Sequence, residues 1–140
     1  MNRILSLAAG IILILAACSG PNQQGSGAKE EQAKKMSEQV MNTHDEAMKF
    51  SSLVLKLKRR INDRIDSLNE TNGRDVYQKV SSQLYAADQE MLNWMRNYKE
   101  PNLSADTALA YLQSEYQKIL KVKSLTDTSI ANAKKLLNEK

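Results

Sequence analysis

Asp75-Val76-Tyr77-Gln78-Lys79-Val80-Ser81-Ser82-Gln83-Leu84-Tyr85-Ala86-Ala87-Asp88-Gln89-Glu90-Met91-Leu92-Asn93-Trp94-Met95-Arg96-Asn97-Tyr98 carries the clearest structural signal in the chain. Val76, Val80, Leu84, Ala87, Met91, Trp94 and Tyr98 recur at steps of three and four, with Asp88 and Met95 adjoining. That spacing lines apolar side chains along one face of an α-helix. Neither Gly nor Pro interrupts the run; Gly73 stands just before it and Pro101 just after, each among polar neighbours that suit a turn.

The same period continues outward from both ends. Upstream, Val40, His44, Ala47, Ser51, Val54, Ile61, Ile65 and Leu68 form a stripe with Met41, Met48 and Leu55 beside it. Downstream, Ser104 reads as an N-cap with Asp106 in the first turn, followed by Leu109, Leu112, Tyr116, Ile119, Leu120, Ile130, Ala133 and Leu137. Lys123, Ser124 and Thr126 to Ser129 weaken that stripe, so a break in the third helix stays open. The expected domain is 29–140, with helices over about 29–69, 75–99 and 104–138. Exposed stripes must be buried and short loops make neighbours antiparallel. The expected fold class is therefore all-α, an antiparallel up-down-up three-helix bundle with coiled-coil-like packing. Such a thin bundle leaves surface for dimerisation, and the oligomeric state stays open.

With 140 residues and 15.7 kDa, the chain has room for one domain plus a targeting segment. Aromatics at 5% with only 5 Gly and 2 Pro favour helices over a sandwich or barrel. One Cys and one His exclude a disulfide framework, a cysteine zinc site and a multi-histidine centre within one chain.

Met1-Asn2-Arg3 followed by the apolar run Ile4 to Leu15 reads as the n- and h-regions of a signal peptide, too short for a permanent span of about 20 residues. The run ends in Leu15-Ala16-Ala17-Cys18, which resembles a bacterial lipobox. That resemblance implies a lipoprotein signal peptide over 1–17, cleavage before Cys18, and acyl chains on Cys18, palmitate among them, as a membrane anchor. At about 0.8 kcal/mol per buried methylene, two or three chains hold where one would be marginal. Cleavage removes Arg3 and no acid, leaving the mature charge one unit below the +4 of the whole chain. Ser19 after the cysteine, and no acid in Ser19-Gly20-Pro21-Asn22-Gln23-Gln24, resemble lipoproteins kept on the periplasmic face of the bacterial outer membrane. Residues 18–28 read as the acylated cysteine and a flexible tether.

If the first hairpin turns near Asn72, Met48 faces Met95 or Arg96 and Asp88 faces Lys56. One end of the bundle then gathers His44, Met48, Met91, Met95, Trp94 and Tyr98. Thioethers and an imidazole suit Cu(I), so His44, Met48, Met91 and Met95 form a candidate soft-metal site. The plainer reading of the same residues is methionines filling a core against Trp94, with His44 hydrogen-bonded to a loop carbonyl or Tyr98. Lys56, Lys58, Arg59, Arg60 and Arg64, with Lys118, Lys121 and Lys123 at a similar height on the third helix, could meet lipid headgroups, lipopolysaccharide phosphates or an acidic partner. A solvated face balanced by Asp63 and Asp66 reads as well. Asp88 is the only acid adjoining an apolar stripe, and a salt bridge to Lys56 or Arg59 is expected of it. No phosphate loop, nucleophile elbow or Cys/His pair occurs, so no enzyme and no resident cofactor are expected. The envelope address excludes nucleic acid and leaves an envelope protein as the expected partner.

Val40-Met41-Asn42-Thr43-His44-Asp45-Glu46-Ala47-Met48, Ala87-Asp88-Gln89-Glu90-Met91-Leu92-Asn93-Trp94-Met95, Pro101 and Ser129-Ile130-Ala131-Asn132-Ala133 resemble a group of small bacterial lipoproteins labelled "viral A-type inclusion protein". The similarity covers most of the mature chain. It implies a helical envelope lipoprotein and no viral role, the label reflecting coiled-coil character. The small periplasmic helical chaperones are a poorer likeness, because Leu125-Thr126-Asp127-Thr128-Ser129 lacks their Gln.

Overall fold

The computed structural model describes residues 23–68 and 73–139. The signal peptide, Cys18 and Ser19 to Asn22 lie outside the described residues. Four helices make up the described chain: α1 (Gln23–Met48), α2 (Ser51–Ser67), α3 (Arg74–Asn97) and α4 (Ala108–Leu136). Among the described residues there is no strand, and no helix is long and apolar enough to cross a membrane.

Three boundaries differ from the sequence expectation. α1 begins at Gln23, so Gln23 to Ala28 are helical rather than tether. Each added residue in a formed helix contributes a hydrogen bond, which carries a helix beyond its last packed turn. The expected first helix over 29–69 is instead two, parted at Lys49 and Phe50. There the Phe50 amide donates to Ala47 O at 3.1 Å, a tightened turn, and helical bonding resumes with Val54 N to Phe50 O at 2.9 Å. The last helix starts at Ala108, not Ser104. Asn102 Oδ1 accepts from both Ser104 N and Ser104 Oγ, so that hydroxyl closes a turn instead of capping. Asp106 meets Lys29 at 3.1 Å. α4 then runs unbroken through Lys123 to Ser129.

Turn chemistry fits the ends. Gly73 precedes α3 at φ 77°, a left-handed conformation that glycine adopts without steric cost. Asn138 takes φ 56° beyond α4, with Asn138 N bonded to Lys135 O and Glu139 N to Lys134 O. These are the paired bonds of a Schellman ending, with asparagine in glycine's usual place.

Buried positions alternate by three and four within each helix. On α3 they are Val80, Leu84, Ala87, Met91 and Trp94; on α4, Ala108, Leu112, Glu115, Ile119, Val122, Thr126, Ser129 and Ala133. Along α1 and α2 they are Val40, Thr43, Ala47, Val54, Leu57 and Ile61, keeping step across the interruption. Val76, expected inside, is 52% exposed, and Ser51 is exposed too. Leu57, missed by the sequence reading, is fully buried.

Inter-helix bonds give the levels at which the helices meet. Lys29 reaches Asp106 and Arg60 reaches Glu139. Ser81 donates to Asn62 at 2.8 Å, while Gln83 is met by Ser129 and Asn132, both at 3.1 Å. The core divides in two. One cluster joins Val40, Ala47, Met91, Trp94, Leu112 and Ile119; the other joins Val54, Leu57, Ile61, Val80 and Leu84.

Candidate functional site

Met48 ends α1, and Met91 and Met95 stand one turn apart on α3. All three line a single pocket of about 110 Å³, with Asp88, Leu92 and Thr126 among its other walls. Three of the four residues in the expected soft-metal set are therefore brought together. His44 is not among that lining. Its ring sits 5.4 Å from the Trp94 ring, its Nδ1 lies 2.9 Å from Asp45 Oδ1, and its Nε2 is buried without a partner. Aromatic attraction and helix position explain the difference: His44 lies one turn before Met48, level with the indole. Among the described residues, no group of three or more His, Cys, Asp or Glu side chains converges.

The His44–Trp94 contact begins a stack that continues through Trp94 and Tyr98 at 4.9 Å and Tyr98 and Tyr111 at 6.3 Å. Tyr111 anchors its end by accepting the Lys99 backbone N–H at 2.9 Å. Within the stack His44 Nε2 and Trp94 Nε1 are buried with no hydrogen-bond partner among the described residues, and the Tyr98 hydroxyl is buried near Ser37. A buried donor or acceptor without a partner loses its hydration uncompensated, which costs free energy. Burial pushes the Tyr98 phenol above its ordinary value, and the neighbouring Ser37 side chain works against that rise.

A larger feature lies between α3 and α4. Ala86, Glu90, Asn93, Trp94 and Asn97 on one side, and Glu115, Lys118, Lys121, Val122 and Leu125 on the other, line an open cleft of about 660 Å³. Glu115 occupies the buried stripe of α4 between Leu112 and Ile119, its side chain only 5% exposed. The sequence reading took Asp88 as the sole acid beside an apolar stripe; Glu115 corrects it. Its position three residues after Leu112 and four before Ile119 was the available signal. Lys118 Nζ donates to Glu115 Oε1 at 2.7 Å, and this bond with the adjoining negative charge holds the Lys118 ammonium above the ordinary lysine range.

Asp88, on the wall of the thioether pocket, makes no ion pair among the described residues, so the expected bridge to Lys56 or Arg59 is absent there. Lys58 lies over the Tyr85 ring at 5.2 Å and Arg60 pairs with Glu139. Lys56, Arg59 and Arg64 are exposed. Lys118 and Lys121 do not share their height: they face α3 in the cleft, while Lys123 pairs with Asp127 at 2.9 Å and feels Glu46 of α1. The single basic patch drawn from the sequence is thus two separate groups. No family model matches the chain, and neither a curated protein nor a solved structure does.

Proposed function

We propose that the protein is a lipid-anchored, non-catalytic helical binding module of the bacterial cell envelope. Cys18 is acylated after loss of residues 1–17 and holds the chain on the periplasmic face of the outer membrane. Leu15-Ala16-Ala17-Cys18, holding the only cysteine, supports the anchor, as does the resemblance to small helical lipoproteins. The helices form an up-down-up bundle in which α1 and α2 together make the first arm. In support, Lys29 to Asp106 and Arg60 to Glu139 ascend together, the parallel sense that an up-down-up bundle gives its first and third arms. Alternation of buried positions by three and four supports coiled-coil-like packing.

The observation that carries the binding reading is the α3–α4 cleft. A bundle serving only as a spacer gains nothing from a carboxylate on its core stripe beside an open cavity, since burial of that charge is costly. The cavity also falls within the range of about 300–1,000 Å³ used for small ligands. Native mass spectrometry on the acylated protein extracted from membranes tests this reading. A bound small-molecule mass is expected, and it should vanish in Ala86→Trp, which fills the cleft. A Cys18→Ser chain should leave the membrane fraction and lose its acyl label.

A second reading, Cu(I) binding at Met48, Met91 and Met95 with His44 alongside, is favoured by the three thioethers lining one pocket. Anaerobic Cu(I) titration against a competing chelator tests it. Tight binding weakened in Met48→Leu/Met95→Leu is expected, and unchanged affinity in that variant removes the site.

A further inference from the structure

The cleft between α3 and α4 is ordered along its length. Glu115 and Asn97 lie towards one end; Lys118 and Trp94 come next, then Lys121 with Glu90; Ala86, Val122 and Leu125 form an apolar end. The order follows from the level set by Gln83 and Ser129 together with the antiparallel α3–α4 arrangement of the proposed bundle. The Glu115 carboxylate is nearly buried, and its only protein donor among the described residues is Lys118, on Oε1. Trp94 lines the same cleft from α3 and is 93% buried by its 7% exposure. The α4 wall therefore offers a nearly buried carboxylate and two ammonium groups one turn apart, facing Trp94 on α3 and ending in an aliphatic pocket.

We infer that this cleft binds a small zwitterion with an aliphatic side chain, an amino acid or short peptide with free termini. The inference rests on the binding-module reading above. The ligand's ammonium pairs with Glu115, its carboxylate with Lys121, and its side chain rests on Val122 and Leu125. Charge-assisted hydrogen bonds in a site of reduced dielectric give such a ligand its orientation. A singly charged ligand leaves one of the two sets of partners unused.

Trp94 is the only tryptophan, so one indole N–H signal reports on the site directly. The full acylated chain in detergent is titrated with alanyl-leucine while the indole 1H–15N resonance and the fluorescence are followed. A saturable shift is expected with free termini. N-acetyl-alanyl-leucine amide should bind weaker by about tenfold or more, as should Glu115→Gln and Lys121→Met with alanyl-leucine, each variant being checked for helicity. Absence of a shift with alanyl-leucine overturns the inference, and so does equal binding of the blocked peptide. In either case a small-molecule mass that disappears in Ala86→Trp leaves the binding reading standing; loss of both results removes both.

Discussion

The two halves of the core solve the same packing problem in different ways. Around Leu57, Ile61 and Leu84 the side chains are aliphatic and fully buried, and the polar groups nearby are bonded across the seam, Ser129 and Asn132 both to Gln83. Around Trp94, α1, α3 and α4 present small alanines, methionines and stacked rings, with the nearly buried Glu115 carboxylate and cavities on both flanks of α3. Close packing makes the first half the source of stability. In the second half, a cleft, stacked rings and a nearly buried carboxylate sit together, the combination on which the proposed binding role rests.

The largest test of that contrast is Leu84→Ala, which opens a void in the aliphatic half and should cost about 2–5 kcal/mol in denaturant unfolding. A loss under about 1 kcal/mol would erase the difference between the halves. Next comes Glu115→Leu, expected to be neutral or to stabilise by about 1–2 kcal/mol, because it removes a buried charge and returns the exposed Lys118 to water. Destabilisation would make Glu115 a structural ion rather than a functional one.

A smaller and paired comparison sets Ser129→Ala against Trp94→Phe. The serine hydroxyl lies at 2.7 Å from Leu125 O and 3.1 Å from Gln83 O, so its loss should cost about 1 kcal/mol. The indole N–H has no bond to lose, and removing it should spare the penalty of an unpartnered donor even as some packing is lost. Thermal unfolding of both variants ranks the two effects. The smallest is a pH effect. Tyr98, Lys118 and Lys123 all titrate above their ordinary values of 10.0, 10.5 and 10.5 in the folded chain. The unfolded chain therefore releases these protons first; the stability they contribute is complete below about pH 10 and falls as pH rises through the raised folded values. Lys118→Met should flatten that alkaline decline slightly, read as unfolding midpoint against pH.

Part of the site was legible from residue spacing. Hairpin arithmetic alone set Met48 against Met95, and both line one pocket with Met91. It could not place His44, because helix position permits both the thioether pocket and the Trp94 ring, and only side-chain packing chooses between them. Glu115 escaped notice for a related reason: a charged residue reads as solvated unless its neighbours at three and four residues are weighed as a stripe. Likewise, Lys118 and Lys121 look like part of one basic patch until the level of α4 against α2 is known.

What the sequence determined by itself was local and periodic. Helical character, the two turns at Gly73 and Pro101, and the apolar faces follow from backbone preference and a 3.6-residue period, which need no knowledge of the partner helix. Only the tertiary structure decided where the first arm breaks at Lys49 and Phe50, which acid is buried, and where space remains between helices. Those outcomes depend on how side chains from distant segments share volume, and the free energy of that sharing belongs to the assembled core rather than to any one segment.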